Sequence, residues 1–303
     1  MTPDIAASVK ARLLVGAKDR REEFERTLTR FAAERLLYRL GASAAREQVL
    51  LKGAAMLSVW LPEPYRATRD VDVLAFGSSD EAAIRALLEQ ICAAPCPQDG
   101  LRFDLSELRI DEMKADELYP GRRARFIAHL GSARITVQVD FGFGDAVAPE
   151  PEEIDFPTML PDLPAARVRA YPREVSVAEK FNAMVTLDTR NSRMKDFHDI
   201  WALSAQLPFD GQRTQQAIST TFERRGTAWT AEVPRALTPV FYQLPELAER
   251  WRSYLARETL LAQPPAQFEI IGEDVITFLG PVRRSIITGD SFARSWPPGG
   301  PWR

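Results

Sequence analysis

The chain has 303 residues, enough for two domains with buried cores, and its apolar and charged fractions of 45% and 27% are typical of a soluble globular protein. A formal net charge of −3 argues against a general polyanion binder, although 39 basic side chains leave room for a local basic patch. Two cysteines and two histidines exclude a disulfide framework and make a structural zinc site improbable, so we expect reduced thiols and a cytoplasmic location. The start of the chain does not have the pattern of a signal peptide, and no apolar run reaches the roughly 18 residues that a membrane span needs.

The first half of the chain predicts alternating helices and strands. The expected elements are a helix at 21–40 with Gly41 as its C-cap, a strand at 49–52, a short helix at 54–60, a strand at 70–76, a helix from 79, a strand at 101–110, and a hairpin of 123–129 and 133–141 around Gly131. This order is typical of an α/β or α+β fold.

Prolines become frequent between residues 149 and 172, which favours a linker that crosses between domains over a packed element. Beyond it we predict helices at about 175–189, 193–206, 211–224 and 243–262. We therefore predict a first domain at 1–160, which includes the N-terminal helices, a helical domain at 161–287, and a flexible tail at 288–303.

Two carboxylates on one predicted strand are the most informative feature of the chain. Asp70 and Asp72 are separated by one residue, so their side chains share a face, about 7 Å apart at Cα. Two ionised carboxylates at this separation repel each other unless a cation lies between them, and Mg²⁺ prefers one or two carboxylates together with substrate phosphates. Gly53 opens a turn and a helix start whose N–H groups suit phosphates, so the pattern predicts phosphoryl or nucleotidyl transfer. The alternative is that the two carboxylates pair with Arg66 or Arg69.

A third carboxylate, Asp140, ends an apolar strand, where its burial costs free energy unless it is paired or bound to metal. Three carboxylates on adjacent strands can hold two Mg²⁺ ions. Alternatively, Asp140 starts a turn before Gly142. Lys52 is either a phosphate contact or a lysine at a strand end. We interpret the arginine clusters, including Gly121-Arg122-Arg123-Ala124-Arg125, as solvated surface.

A second constellation lies in the helical half. Ser176 and Glu179 have capping-box spacing, which predicts a helix start with Lys180 in its next turn. Asp196 and Asp199 lie three residues apart, on one face of the following helix. Cationic side chains here would offset the charge of a nucleoside triphosphate, whereas the alternative is solvated charges and acids that favour the helix dipole.

Taken together, these residues resemble the AbiEii/AbiGii-type nucleotidyltransferase toxins of the polymerase-β-like superfamily. The resemblance covers about residues 48–205 and rests on four motifs in order: Lys52-Gly53-Ala54-Ala55-Met56-Leu57, Arg66-Ala67-Thr68-Arg69-Asp70-Val71-Asp72-Val73, Glu179-Lys180-Phe181-Asn182-Ala183-Met184, and Arg193-Met194-Lys195-Asp196-Phe197-His198-Asp199. The family usually has Gly or Ser where this chain has Ala54, so a serine hydroxyl is lost while the backbone N–H groups remain.

The resemblance implies an α+β fold: a polymerase-β-like nucleotidyltransferase domain with a small mixed sheet flanked by helices, followed by a mostly helical C-terminal domain. It also implies a set of site residues: Asp70, Asp72 and, less directly, Asp140 as metal ligands; Asp70, Asp72, Lys180 and Asp196 as catalytic residues; and Lys52, Gly53, Ala54, Arg69, Lys180 and Arg193 as nucleotide-binding residues.

The implied function is that of a cytoplasmic prokaryotic toxin that uses one or two Mg²⁺ ions to transfer a nucleotide from an NTP to RNA, with the 3′ end of tRNA as the expected acceptor. A cognate antitoxin protein and a role in a toxin–antitoxin or phage-defence system follow from the same resemblance. Two alternatives remain: an enzyme of this fold that modifies a small molecule or a protein side chain, and a module that binds NTP without turnover.

Overall fold

The computed structural model describes residues 4–61, 70–113, 121–144, 147–257 and 264–303. The chain forms two compact units. The first unit comprises Met1–Val59, Thr68–Gly144 and Glu152–Ala170, and the second comprises Trp60–Ala67, Asp145–Pro151 and Tyr171–Arg303. Residues 161–170, which we expected in the helical domain, therefore belong with the first unit.

Up to residue 170 the chain forms four helices and seven strands within the described ranges. The helices are α1 (Ile5–Asp19), α2 (Phe24–Ala42), α3 (Leu57–Trp60) and α4 (Glu81–Ala93), with 3₁₀ turns at Ala44–Gln48, Gly53–Met56 and Pro97–Asp99. The strands are β1 (Val49–Lys52), β2 (Asp70–Ala75), β3 (Leu101–Glu112), β4 (Gly121–Leu130), β5 (Ala133–Phe143), β6 (Glu152–Phe156) and β7 (Ala166–Ala170).

The seven strands form one mixed sheet in the order β3-β4-β5-β2-β1-β7-β6. The pairs β2–β5 and β1–β7 are parallel, and the other neighbours are antiparallel. One face of the sheet packs against α2 and α4, around a cavity lined by ten apolar side chains that include Leu36, Leu40, Leu88, Val71 and Val139. The predicted class, a mixed sheet flanked by helices, is confirmed.

Gly41 has a different role from the predicted helix cap. Helix α2 continues to Ala42, and Ser43 follows it as the C-cap. A Cβ on Gly41 would lie 2.3 Å from the backbone oxygen of Arg167 in β7. Glycine is therefore required because α2 packs directly on the backbone of that strand.

The proline-rich segment contains two strands of the sheet, so the expectation of an unpacked linker is wrong. Strand β6 pairs with β7 along its whole length, and β7 joins β1 through Leu51 and Ala170. The prolines lie before, between and after these strands rather than inside them. Since proline cannot donate to a strand ladder, its positions mark the strand ends.

The second unit is mostly helical, as predicted. Its helices are α5 (Arg173–Leu187), α6 (Met194–Gln206), α7 (Gly211–Arg224), α8 (Pro239–Tyr242), α9 (Pro245–Arg257) and α10 (Phe268–Thr288), with 3₁₀ turns at Asp188–Arg190 and Arg235–Leu237 and two short strands, β8 (Phe209–Asp210) and β9 (Ser295–Trp296). Helix α5 begins at Arg173 with Pro172 as its N-cap, so the Ser176–Glu179 capping box does not start it.

The C-terminal residues pack against the helices of the second unit, to which they belong. We had expected a flexible tail at 288–303. Strand β9 pairs with β8. The indole of Trp296 donates to the backbone oxygen of Ser204 at 2.7 Å, and that of Trp302 donates to the backbone oxygen of Phe278 at 2.7 Å. The rings of Trp302 and Phe278 stack 5.6 Å apart. The aromatic side chains thus anchor a segment whose prolines and glycines alone favour disorder.

We expect Trp302→Ala to lower the free energy of unfolding by about 3–5 kcal/mol, because a buried indole and its hydrogen bond are lost together. Urea unfolding of the variant measures this loss, and Arg303→Ala serves as the control because Arg303 is exposed. A Trp302→Ala midpoint equal to that of the wild type would show that this segment adds nothing to stability.

Burial raises the pKa of both cysteine thiols. Cys92 and Cys96 are free, and burial raises the pKa of the Cys92 thiol to about 12, so it stays protonated at neutral pH. Within the described residues, every helix is too short or too polar to cross a lipid bilayer.

Candidate functional site

The carboxylate pair lies on the face of β2 that points away from the core. Val71 and Val73 are buried and line the apolar cavity below α2 and α4. Asp70 and Asp72 alternate with them and are half-buried. Because side chains alternate along a strand, both carboxylates project from the opposite face of the sheet.

A row of charged residues crosses this face at the level of Asp72. Lys52 of β1 is the register partner of Asp72, Asp140 of β5 is its partner on the other side, and Arg123 of β4 is the partner of Asp140. Paired residues on neighbouring strands project to the same side, with Cα atoms about 5 Å apart. The four adjacent strands thus place positive, negative, negative and positive side chains next to one another.

Two features of the structure require glycine at position 53, next to this row. Its φ angle is +71°, which L side chains rarely adopt, and a Cβ there would lie 2.2 Å from Oδ2 of Asp72. The predicted helix start is shorter than expected, because one 3₁₀ turn that includes Ala54 leads into the four-residue helix α3. The main effect of the glycine is therefore to let the Asp72 carboxylate lie against the backbone.

Gly142 makes room for the side chain of Lys52. A Cβ at Gly142 would lie 3.2 Å from Nζ of Lys52, although Lys52 is in β1, Gly142 is in β5, and strand β2 runs between them. The lysine amine therefore reaches across β2, over the same sheet face as the carboxylates. The sequence shows a Gly142-Phe143-Gly144 run but gives no sign of this contact.

Asp140 lies on the predicted face, but its environment differs from that of the predicted third metal ligand. Arg123 donates to both of its oxygens, through Nε at 2.8 Å and Nη2 at 2.7 Å. The Asp140 side chain is 9% exposed and that of Arg123 is 28% exposed. Within the described ranges, no three Asp, Glu, His or Cys side chains lie close enough together to share a metal ion.

Sequence reasoning missed Arg123, which belongs to a run that we interpreted as solvated surface. The signal was present in the predicted hairpin. Leu130 pairs with Ala133 across the turn at Gly131, and counting back along both strands pairs Arg123 with Asp140. The register of the hairpin therefore identifies the partner of a carboxylate that the strand pattern alone leaves unexplained.

The second group of predicted residues lies in the second unit, on helices α5 and α6. Nζ of Lys180 lies 2.8 Å from Oδ2 of Asp199 and 3.4 Å from Oδ1 of Asp196. Nε of Arg193 lies 2.7 Å from the other oxygen of Asp196. Both aspartates are fully buried. Asp199, which the resemblance gives no separate role, is thus the nearer carboxylate partner of Lys180.

The segment before β2, which includes Arg69, lies outside the described residues. The structure gathers Lys52, Gly53, Asp70 and Asp72 in the first unit, together with Asp140 and Arg123. It separately gathers Lys180, Arg193, Asp196 and Asp199 in the second unit.

A family model described as nucleotidyl transferase AbiEii toxin, type IV toxin–antitoxin system, matches residues 35–273. The chain belongs to the AbiEii toxin family. It is therefore, in general terms, a nucleotidyltransferase toxin, and membership of the family implies a cognate antitoxin. The matched range includes the carboxylate pair of β2 and the ion pairs of α5 and α6.

Two solved structures are similar to the chain at low sequence identity. A Helicobacter pylori protein crystallised as a candidate nucleotidyltransferase is 13% identical, with a TM-score of 0.47, and the match covers 85% of this chain and 94% of that one. JHP933 from Helicobacter pylori is also 13% identical, with a TM-score of 0.48 and coverage of 85% and 91%. No curated protein sequence matches the chain.

The first-unit residues of this AbiEii-family chain fit a hard divalent cation. Asp70 and Asp72 offer carboxylate oxygens on one partly exposed face, and the missing Cβ of Gly53 leaves room against Asp72. Oxygen ligands of this kind, completed by substrate phosphates and water, are what Mg²⁺ prefers. Both oxygens of Asp140, the third carboxylate, accept hydrogen bonds from the Arg123 guanidinium.

We expect Lys180→Met to lower the free energy of unfolding by about 3–5 kcal/mol, because it removes the ammonium that lies 2.8 Å from the buried Asp199 carboxylate. Lys195→Met is the matched control, since Lys195 lies on the same helix as the aspartates and is exposed. Urea unfolding measures both variants. Equal losses for the two would show that the buried pair does not stabilise the fold.

Proposed function

We propose that the chain is a Mg²⁺-dependent nucleotidyltransferase that transfers a nucleotide from an NTP to RNA, with the 3′ end of tRNA as acceptor. The observation that supports this most is the half-buried pair Asp70 and Asp72 on one sheet face, beside Gly53 and Lys52, in a chain of the AbiEii family.

In the proposed reaction, a hydroxyl oxygen of the acceptor forms a bond to the α-phosphorus of the NTP. The bond from the α-phosphorus to the oxygen that bridges to the β-phosphate breaks, and pyrophosphate leaves. The hydroxyl proton passes to water. The protein's task in such a transfer is to hold the reacting groups in line and to offset negative charge.

Asp70 and Asp72 would hold Mg²⁺, which when bound neutralises triphosphate charge and polarises the phosphate oxygens. The Lys52 amine, which lies against Gly142, would add positive charge next to the carboxylates. Ala54 can offer only its backbone N–H.

Lys180 and Arg193 would contact the triphosphate, as the family pattern implies. The ion pairs that both cations make with buried aspartates support this proposal. Asp196 and Asp199 are fully buried, and their ion pairs fix the Lys180 amine in one position. A cation that is already positioned loses less side-chain entropy when it meets an anion. Asp196 would therefore orient the cationic groups through its contacts with both Lys180 and Arg193.

We also propose that this transfer is the toxic activity, that it takes place in the cytoplasm of a prokaryote and that the system acts in phage defence. Modification of a tRNA 3′ end would block aminoacylation. That consequence would make a controlling antitoxin necessary.

The test is an assay with NTPs labelled at the α-phosphate, Mg²⁺ and total tRNA, followed by separation of RNA, protein and small-molecule fractions. We expect label in the RNA fraction with the wild type. Two controls should give none: Asp72→Asn, and tRNA whose 3′-terminal ribose has been oxidised with periodate, which removes the acceptor hydroxyl.

Other outcomes would identify the alternatives. Label in the protein or small-molecule fraction would overturn the RNA acceptor and keep the transferase. Nucleotide binding in a calorimeter without release of pyrophosphate from any acceptor mixture would overturn catalysis and indicate a binding module.

A further inference from the structure

The Asp140 carboxylate and the Arg123 guanidinium form a closed ion pair beside the proposed cation site. Asp140 is the register partner of Asp72, so it stands where a third carboxylate would meet a metal held by Asp70 and Asp72. Both of its oxygens nevertheless accept hydrogen bonds from Arg123, at 2.8 and 2.7 Å.

The geometry of this pair is that of a planar guanidinium fork matched to a carboxylate, the strongest form of such contact. Arginine keeps its positive charge at every pH that the protein tolerates. The Asp140 side chain is almost fully buried, so exchange of its partner for water is costly. The guanidinium therefore supplies, at this position in the row, the positive charge that a second metal ion would otherwise supply.

The charge sequence across the sheet supports the same interpretation. Lys52, Asp72, Asp140 and Arg123 follow one another on adjacent strands, so each carboxylate has a cationic residue as its outer register neighbour. A second divalent ion between Asp72 and Asp140 would have to displace Arg123 from both oxygens, and it would lie next to two fixed positive charges.

We propose that Arg123 is a fixed cation of this site that holds Asp140 away from metal, so that the cluster takes one divalent ion, on Asp70 and Asp72, rather than two. This inference rests on the proposed function, because it assumes the cation site on β2. It assigns Arg123 and Asp140 as positioning residues and limits the number of ions that take part.

The experiment counts ions directly. Mn²⁺ is titrated into the purified full-length chain, and free Mn²⁺ is followed by electron paramagnetic resonance without nucleotide, so that no turnover is needed. We expect one Mn²⁺ per wild-type chain and none for Asp72→Asn. Asp140→Asn should keep one ion with its affinity changed less than about twofold, because Asp140 is not a ligand.

Arg123→Gln provides the sharpest result. It releases Asp140 beside Asp72, so we expect Mn²⁺ binding to strengthen at least tenfold or a second ion to appear. Arg125→Gln is the matched control, because Arg125 lies two residues further along the same strand face and donates to Gln138 at 3.1 Å. It should bind as the wild type does. Thermal unfolding of every variant identifies any that do not fold, in which case Asp140→Asn alone decides.

Two wild-type ions, or an Asp140→Asn loss as large as that of Asp72→Asn, would overturn the inference and leave the proposed transfer intact. Unchanged Mn²⁺ binding by folded Arg123→Gln would also overturn it. No Mn²⁺ on the wild type would overturn both this inference and the magnesium dependence on which it rests.

Discussion

We expect Asp72→Asn to lower the rate of nucleotidyl transfer by at least about 10³-fold and to leave the fold intact. Asp72 lies at the centre of the charged row, with Lys52 and Asp140 as its register partners and the Gly53 backbone against its carboxylate. Asparagine keeps the size of the side chain and removes its charge, so the proposed cation loses a ligand. A bound metal ion contributes several kcal/mol to charge stabilisation, and each 1.4 kcal/mol or so corresponds to a factor of ten in rate.

The label-transfer assay measures the rate of transfer by Asp72→Asn, and urea unfolding measures its stability. The free energy of unfolding should fall by less than about 1 kcal/mol, because the substitution also relieves repulsion between neighbouring carboxylates. Asp111→Asn is the matched control: Asp111 is the register partner of Arg123 on β3, is exposed, and should keep full activity. Activity of Asp72→Asn within tenfold of the wild type would refute the role given to Asp72.

Gly53→Ala should remove activity for a steric reason and should also destabilise the chain. Alanine at a φ of +71° costs about 1–2 kcal/mol. Its Cβ would also lie 2.2 Å from Oδ2 and 2.6 Å from Cβ of Asp72, so the carboxylate must move. We expect a total loss of about 2–4 kcal/mol in the free energy of unfolding, together with a loss in rate of about 100-fold or more, since a displacement near 1 Å has such an effect.

Gly77→Ala separates the two causes. Gly77 follows β2 closely, has a φ of +110°, and has open space around the position of a Cβ. Its alanine variant should show the backbone strain alone, with lower stability and unchanged transfer. If Gly53→Ala and Gly77→Ala lose the same stability and both keep activity, the contact between Gly53 and Asp72 has no functional role.

The strands that hold the site could be predicted because their sequences combine local signals. Asp70 and Asp72 interrupt an apolar, β-branched run, and that pattern fixes both the strand and the face that the carboxylates share. The register of the hairpin also predicts Arg123 as the partner of Asp140. We interpreted the arginines from their charge alone, and this wrongly assigned Arg123 to the solvated surface.

Elements whose stability depends on distant partners could not be predicted in this way. Strands β6 and β7 are short and bounded by prolines, and they exist because they extend the edge of a sheet built from other segments. The C-terminal segment is ordered by the packing of Trp296 and Trp302 on α10, a helix with Pro281 in its interior. Because Pro281 weakens the helical pattern of α10, the sequence predicted neither this helix nor the segment that packs on it.

The ion pairs between α5 and α6 could be predicted only in part. Spacing alone placed Asp196 and Asp199 on one helix face, as the structure does. It could not show that Lys180 lies closer to Asp199 than to Asp196, because that order depends on how α5 and α6 pack.

The most direct test of the central claim is anomalous diffraction from crystals of the wild-type chain grown with Mn²⁺ and a non-hydrolysable NTP analogue. We predict a manganese peak bound by carboxylate oxygens of both Asp70 and Asp72, with Asp140 still paired to Arg123. A nucleotide bound with no manganese at these two carboxylates, or with either one turned away from the ion, would contradict it.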